Sequence, residues 1–207
     1  MATARKLEVL DQVSNGAKDT IEMTRPFKVS ITVQGVAPIL LHGWNIEAVE
    51  AKGTAAKGSK AKKTDDLESY VYRCPNGNIG LMGDSLRAAM AEAGRYKQDP
   101  RSPRKSAKDL VKAALIPLNP YADTGLKEWD YVARHRVVVQ RNAITRSRPA
   151  LNIGWTADFE MLVNLPQYLT VPFMQDLLRD AGVLCGLGDY RPTYGRFSVI
   201  SFETSDF

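Results

Sequence analysis

From Gly186 to Val199 the chain reads Gly-Leu-Gly-Asp-Tyr-Arg-Pro-Thr-Tyr-Gly-Arg-Phe-Ser-Val, an interleaving of glycine, arginine and tyrosine suited to holding a phosphodiester strand. Glycines at Gly186, Gly188 and Gly195 lack the side chain that would keep a ligand off the backbone, so their N–H groups are expected to approach an anion. Arg191 and Arg196 supply charge for phosphates, and Tyr190 and Tyr194 offer flat faces for bases or sugars. Gly182, at the end of the preceding apolar-periodic stretch, suits a left-handed helix C′ position.

Positive charge is clustered beyond what the net value of +5 conveys. Lys57, Lys60, Lys62 and Lys63 stand among Gly, Ala and Ser with no acid, which reads as a flexible basic loop. A second cluster runs from Arg95 to Lys112 around Pro100 and Pro103. In the third, no acid occurs between Asp130 and Asp158, while Arg134, His135, Arg136, Arg141, Arg146 and Arg148 do. Solvated surface charge usually mixes signs, so this tract points to a polyphosphate partner.

Other chemistries find little support. Cys74 and Cys185 are isolated, and with only His42 and His135 as further soft ligands neither a disulfide framework nor a metal site is indicated. The Gly186–Gly188 triplet fits neither a nucleotide P-loop nor a dinucleotide fingerprint, and no cofactor is expected. No stretch approaches the roughly 18 apolar residues of a membrane span, and the first residues lack the apolar run of a secretory signal, so the chain reads as cytoplasmic. Trp155, directly before a strand pattern, is read as packing.

Periodicity orders the elements that must carry these residues. Phe27, Val29, Ile31 and Val33 alternate with polar residues as a half-buried strand does. Asp84 or Ser85 is expected to cap a helix with Leu86, Ala89, Met90 and Ala93 on one face. Val137 and Val139 mark a short second strand, and Phe159, Met161, Val163 and Leu165 a third. Thr170 then caps a helix with Phe173, Leu177, Leu178 and Ala181 inward, and the glycine-rich loop feeds a last strand around Phe197 to Phe202. The order βαββαβ predicts an α+β, ferredoxin-like core. Residues 1–26 form an N-terminal arm, and 27–207 form a single domain with long insertions near 44–74 and 96–134. The open sheet face shows Lys28, Ser30, Thr32, Gln34, Asp158, Glu160 and Asn164 and no aromatic, so nucleic acid is expected at the loops instead.

Three segments on this frame carry a family likeness: Ile31–Gly43, Asn78–Met90 with its Ser-Leu-Arg-Ala-Ala run, and Gly186–Val199. The chain resembles the RAMP superfamily of CRISPR-associated proteins, and within it the backbone subunits that polymerise along a guide RNA. That resemblance implies single-stranded RNA binding, homo-oligomers along the strand, other effector subunits as partners, and a place for Arg87 among the binding residues. Specificity would be left to base pairing, the protein gripping phosphates. Some relatives cleave RNA with a histidine or with an acid in the loop after the first strand, which singles out His42 and, further on, Glu47, Glu50, Asp65 and Asp66. With no acid–base constellation readable, the expectation is a non-enzymatic protein. A single-stranded DNA-binding or annealing protein of a phage or plasmid is one alternative, and a RAMP-like endoribonuclease is another.

Overall fold

The computed structural model describes residues 25–46, 50, 54, 66–139 and 142–207; at 137, 139 and 142–144 it describes the backbone alone. The lysine loop with Lys57, Lys60, Lys62 and Lys63, together with Arg141, Glu47 and Asp65, lies outside the described residues.

β1 (Phe27–Gly35) is the spine of the main sheet. Its alternation puts Phe27, Val29, Ile31 and Val33 inward, each at most 1% exposed, because successive side chains of a strand point to opposite faces. β11 (Thr156–Val163) runs antiparallel beside it from Phe27↔Val163 to Gln34↔Thr156. β12 (Phe197–Asp206) flanks the other side, with a bulge between Thr32 and Val33. Beyond β11 come β8 (Tyr121–Asp123), β4 (Ile79–Met82) and β3 (Tyr72–Arg73), and β7 (Leu115–Pro117) also pairs with β11. β5 (Gln98–Asp99) and β6 (Ser102–Ser106) pair apart from this sheet, and every pairing is antiparallel.

Helices α1 (Gly83–Ala93), α2 (Lys108–Ala114) and α3 (Val171–Asp180) add their apolar stripes to the sheet's buried face. Leu86, Ala89, Met90, Leu110, Met174, Leu177 and Leu178 join the strand residues in one cluster. Removing a fully buried side chain of this kind costs about 2–5 kcal/mol. The chain is thus an α+β protein built on an antiparallel sheet.

The expected caps are not the ones used. β4 runs straight into α1, so Met82 occupies the cap position, and the Ser85 hydroxyl donates back to the Met82 carbonyl at 2.6 Å. Thr170 stands at the cap of α3 but makes no side-chain capping bond. The larger correction concerns the second strand. Val137 and Val139 belong to β9 (Tyr131–Val139), which pairs with β10 (Asn142–Leu151) in a long hairpin. This hairpin joins β2 (Ile39–Leu40) in a separate three-stranded sheet. Alternation identifies a strand without saying which sheet it enters. The stretch that does border β11, β7, is three residues long and ends on Pro117, which hides it from a pattern search.

Trp155 is buried, and its indole N–H donates to the Ala37 carbonyl at 2.9 Å. Gly35 makes room for it, since a Cβ there would fall 2.0 Å from the indole nitrogen.

Candidate nucleic-acid interface

A π-helical turn, Ala181–Cys185, follows α3 and opens into the glycine-rich loop. Gly182 is helical rather than left-handed; it serves as a close contact, its missing Cβ lying 2.1 Å from the Phe197 carbonyl. Gly195 has φ +73°, and a Cβ on it would meet the Leu187 carbonyl at 1.7 Å. The loop is therefore folded onto itself. Its amides are spent inside the protein: Gly186 N–H donates to Ala181, Gly195 N–H to Pro38, Leu187 N–H to Gly195 and Asp189 N–H to Leu40, at 2.8–2.9 Å. The expectation that Gly186 and Gly195 leave open amides for an anion is overturned, because the compact turn needs those donors for its own carbonyls.

Asp189 is the anchor of the loop. Its Oδ2 accepts from Arg148 Nε at 2.9 Å and faces His42 Nδ1 at 3.5 Å, while its Oδ1 accepts the Tyr190 N–H at 3.0 Å. Arg148 is only 4% exposed, with its guanidinium 4.5 Å from the Tyr70 ring centroid. This arginine fastens β10 to the loop and has no open face for a phosphate. His42, half-exposed, also meets Tyr70 edge-on at 5.3 Å. Its Nδ1 thus points at a carboxylate that an arginine already holds.

Register divides the arginine tract between two faces. In the β9–β10 hairpin His135 opposes Arg146 and Ala133 opposes Arg148, while Arg134 opposes Ser147 and Arg136 opposes Thr145. Opposed residues share a face, so Arg134 and Arg136 point away from Arg146 and Arg148. The inward face packs Ala133 and Ala150 with Leu40, Tyr131, Tyr190 and Tyr194. Tyr190 lies 4.7 Å from the His135 ring at 33°, and Tyr194 lies 5.3 Å from it at 73°. Both tyrosines, offered by the sequence as base-stacking groups, are partners of the hairpin. Burial beside Tyr194 and Asp130 raises the Tyr131 hydroxyl pKa above its ordinary value.

Pairing sorts the remaining cations. Arg87 is held by Asp84 and by the Lys112 carbonyl, and Arg196 donates to the Pro192 carbonyl at 2.9 Å. Arg134, Arg136, Arg146 and Arg191 make no ion pair or hydrogen bond among the described residues. Arg191 has the most telling position. It lines two adjoining concavities, of about 410 and 690 Å³, which share Ala88 of α1 and Gly188, Asp189 and Arg191 of the loop. A third, about 490 Å³, adjoins the first through Met82 and Asp84. Together they form one groove beneath the glycine-rich loop, from the β7–β8 turn across α1 to Lys108 and Lys112 of α2. Sequence reasoning missed that Lys108 and Lys112 line this groove, a placement whose signal was the second basic cluster; Lys108 meets Glu92 at 3.2 Å, while the Lys112 ammonium makes no ion pair among the described residues. Among the described residues no group of three His, Cys, Asp or Glu side chains is placed to hold a metal, and no helix is long and apolar enough to cross a membrane.

No protein-family model matches this chain, and no curated protein does. Solved structures with a related fold do exist. One similar chain belongs to the type III-B Cmr-beta complex bound to cognate target RNA, solved by cryo-EM. It aligns with a TM-score of 0.53 over 100% of this chain and 68% of that one, at 9% identity. Identity that low makes this a likeness of fold.

Proposed function

We propose that this chain is a RAMP-like, non-enzymatic protein that binds single-stranded RNA, a guide RNA of a CRISPR ribonucleoprotein, and oligomerises along it. One observation carries the reading: the groove beneath the glycine-rich loop is lined by the unpaired Arg191, in a fold similar to that of a chain of the type III-B Cmr-beta complex, which is bound to target RNA. The sheet supports it as well. Taking β1, α1, β7, β11, α3 and β12 as the βαββαβ frame, the neighbours run β12-β1-β11-β7, a ferredoxin-like arrangement with β9–β10 as an outgrowth. Phosphates would be gripped by Arg191 and Lys112 in the groove and by Arg134 and Arg136 on the hairpin, while Arg87, Arg148, Tyr190 and Tyr194 hold the frame that presents them, and Lys108 is paired with Glu92. His42, turned toward Asp189, serves as a structural contact in this reading, and no cleavage is assigned to it.

The test is fluorescence anisotropy with single-stranded RNA, single-stranded DNA and duplex across a salt series. Binding to single-stranded RNA is expected to weaken as salt rises, and Arg191→Ala to flatten the slope by roughly 0.7 for a lost phosphate contact. Equal or tighter binding to DNA would favour an annealing protein. Cutting of RNA that vanishes in His42→Ala would favour a nuclease.

A further inference from the structure

We infer that Trp44 and Tyr96, at two points along the groove, each stack on one base of the bound strand whatever its identity; the inference rests on the RNA-binding reading above. Four large aromatic side chains are well exposed among the described residues: Trp44 at 70%, Tyr96 at 72%, Tyr168 and Phe207. Tyr168 has the Arg101 guanidinium 6.0 Å from its ring centroid, and Phe207 follows β12. The other two both belong to the groove. Tyr96 lines the concavity of about 690 Å³, together with Lys112 and Arg191. Trp44 follows Gly43, a lining residue of the concavity of about 410 Å³, and its N–H donates at 2.8 Å to the hydroxyl of Tyr72, another. An indole and a phenol left in water gain free energy when a flat partner covers them.

Each ring stands on backbone that the fold holds in place. Directly before Trp44, the Gly43 N–H donates to the Tyr70 carbonyl at 2.7 Å, and Tyr72 is itself stacked on Tyr121 at 5.0 Å and 24°. Tyr96 closes the 3₁₀ turn Gly94–Tyr96, and its neighbours Arg95 and Lys97 are tied to Glu92 and Asp180 at 2.6 and 2.9 Å. Those two cations are spent inside the fold, so what the turn presents is its ring. Platforms fixed in this way lose little freedom on binding. Stacking also suits a strand whose sequence is read by pairing, because every base has a π-face and covering that face leaves the Watson–Crick edge open. The bases thereby find the partners that Tyr190 and Tyr194, packed against the hairpin, do not supply.

The experiment uses oligouridine short enough for one subunit, beside an abasic ribose-phosphate strand of the same length, by anisotropy over a salt series. Trp44→Ala and Tyr96→Ala are each expected to weaken oligouridine binding about tenfold with no change in salt slope, because no phosphate contact is lost. Trp44→Phe and Tyr96→Phe, which keep a flat ring, should retain most of the affinity. The abasic strand should bind all five proteins alike. Indole emission gives an independent readout: Trp155 is buried and Trp129 partly buried, so quenching by oligouridine, and not by the abasic strand, should reside in Trp44. Parental affinity in an alanine variant overturns stacking at that residue and leaves the RNA-binding reading standing. So does a loss equal on the abasic strand, or one confined to strands that hold several subunits, which would assign the ring to a contact between copies. No binding of the parent to any strand overturns both.

Discussion

The open face of the main sheet and the groove beneath the glycine-rich loop are both rich in charge, yet they use it differently. On the sheet, Lys28 meets Glu160 at 2.8 Å and the Thr32 hydroxyl donates to Asp158 at 2.7 Å. Asn119 ties the same strand through the Asp158 carbonyl and the Glu160 amide. The charged groups of that face, Lys28, Asp158 and Glu160, are each answered by a neighbour in the fold. In the groove, Arg191 is left without a protein partner. What a surface can bind follows from the charge left unpaired after folding, not from the charge in the sequence.

The strongest way to break this contrast is to remove the groove's roof. In Gly195→Val the new side chain would occupy the space of the Leu187 carbonyl, in a backbone conformation hostile to branched residues. Destabilisation of about 3 kcal/mol or more is expected, read by urea unfolding, with RNA binding lost at temperatures where the rest of the sheet persists. A variant as stable as the parent, with intact binding, would show that the loop does not shape the site.

Arg148 and Arg191 test the same contrast within one residue type. Arg148→Ala empties a buried position and deprives Asp189 of its cation, so about 2 kcal/mol of stability should be lost. The salt slope of binding should stay as it was. Arg191→Ala should do the reverse, changing stability by less than about 0.5 kcal/mol while lowering the slope. Arg134→Ala with Arg136→Ala should act as Arg191→Ala does. If Arg148→Ala lowers the slope and Arg191→Ala does not, the assignment of roles is inverted.

These residues also mark how far the sequence could be read. β1, α1, β11 and α3 are legible because their apolar periods are long and each has one buried face. The last loop announced itself through its glycines. Its Gly186 and Gly195 amides, however, which the sequence offers to a ligand, serve the Ala181 and Pro38 carbonyls, because composition reveals a need for special dihedrals and not the partners of the N–H groups. The arginine tract was legible as charge, but its split over two faces follows from the β9–β10 register, and the burial of Arg148 from an aspartate forty-one positions away. Such long-range pairing leaves no local signature.

A carboxylate satisfied without any cation sharpens the comparison from a third side. Burial would raise the Asp123 pKa, but the Gly125 amide and the Asn76 and Asn78 side chains donate to it at 2.6–3.1 Å and hold it below its ordinary value. A folded-state pKa below the unfolded one contributes stability that is present above about pH 4 and fades as pH falls through the lowered value. Asp123→Asn should therefore cost about 1 kcal/mol at neutral pH and flatten the acid side of the stability profile, checked by urea unfolding between neutral and acidic pH. An unchanged acid limb would mean that other carboxylates dominate it.

The smallest effect is expected where the sheet has already answered its own charge. Lys28 and Glu160 are both partly exposed, with side chains 31% and 43% accessible, so water screens their attraction and each loses rotamer freedom in meeting the other. A double-mutant cycle with Lys28→Ala and Glu160→Ala should give a coupling of about 0.2–1 kcal/mol. RNA affinity and its salt slope should be indifferent to either change, since the lysine's charge is compensated within the sheet and the groove lies under a different loop. A fall in slope in Lys28→Ala comparable to that in Arg191→Ala would place a phosphate on the open face. It would also mean that a paired charge is as available to a ligand as an unpaired one, which is the premise that separates the two regions.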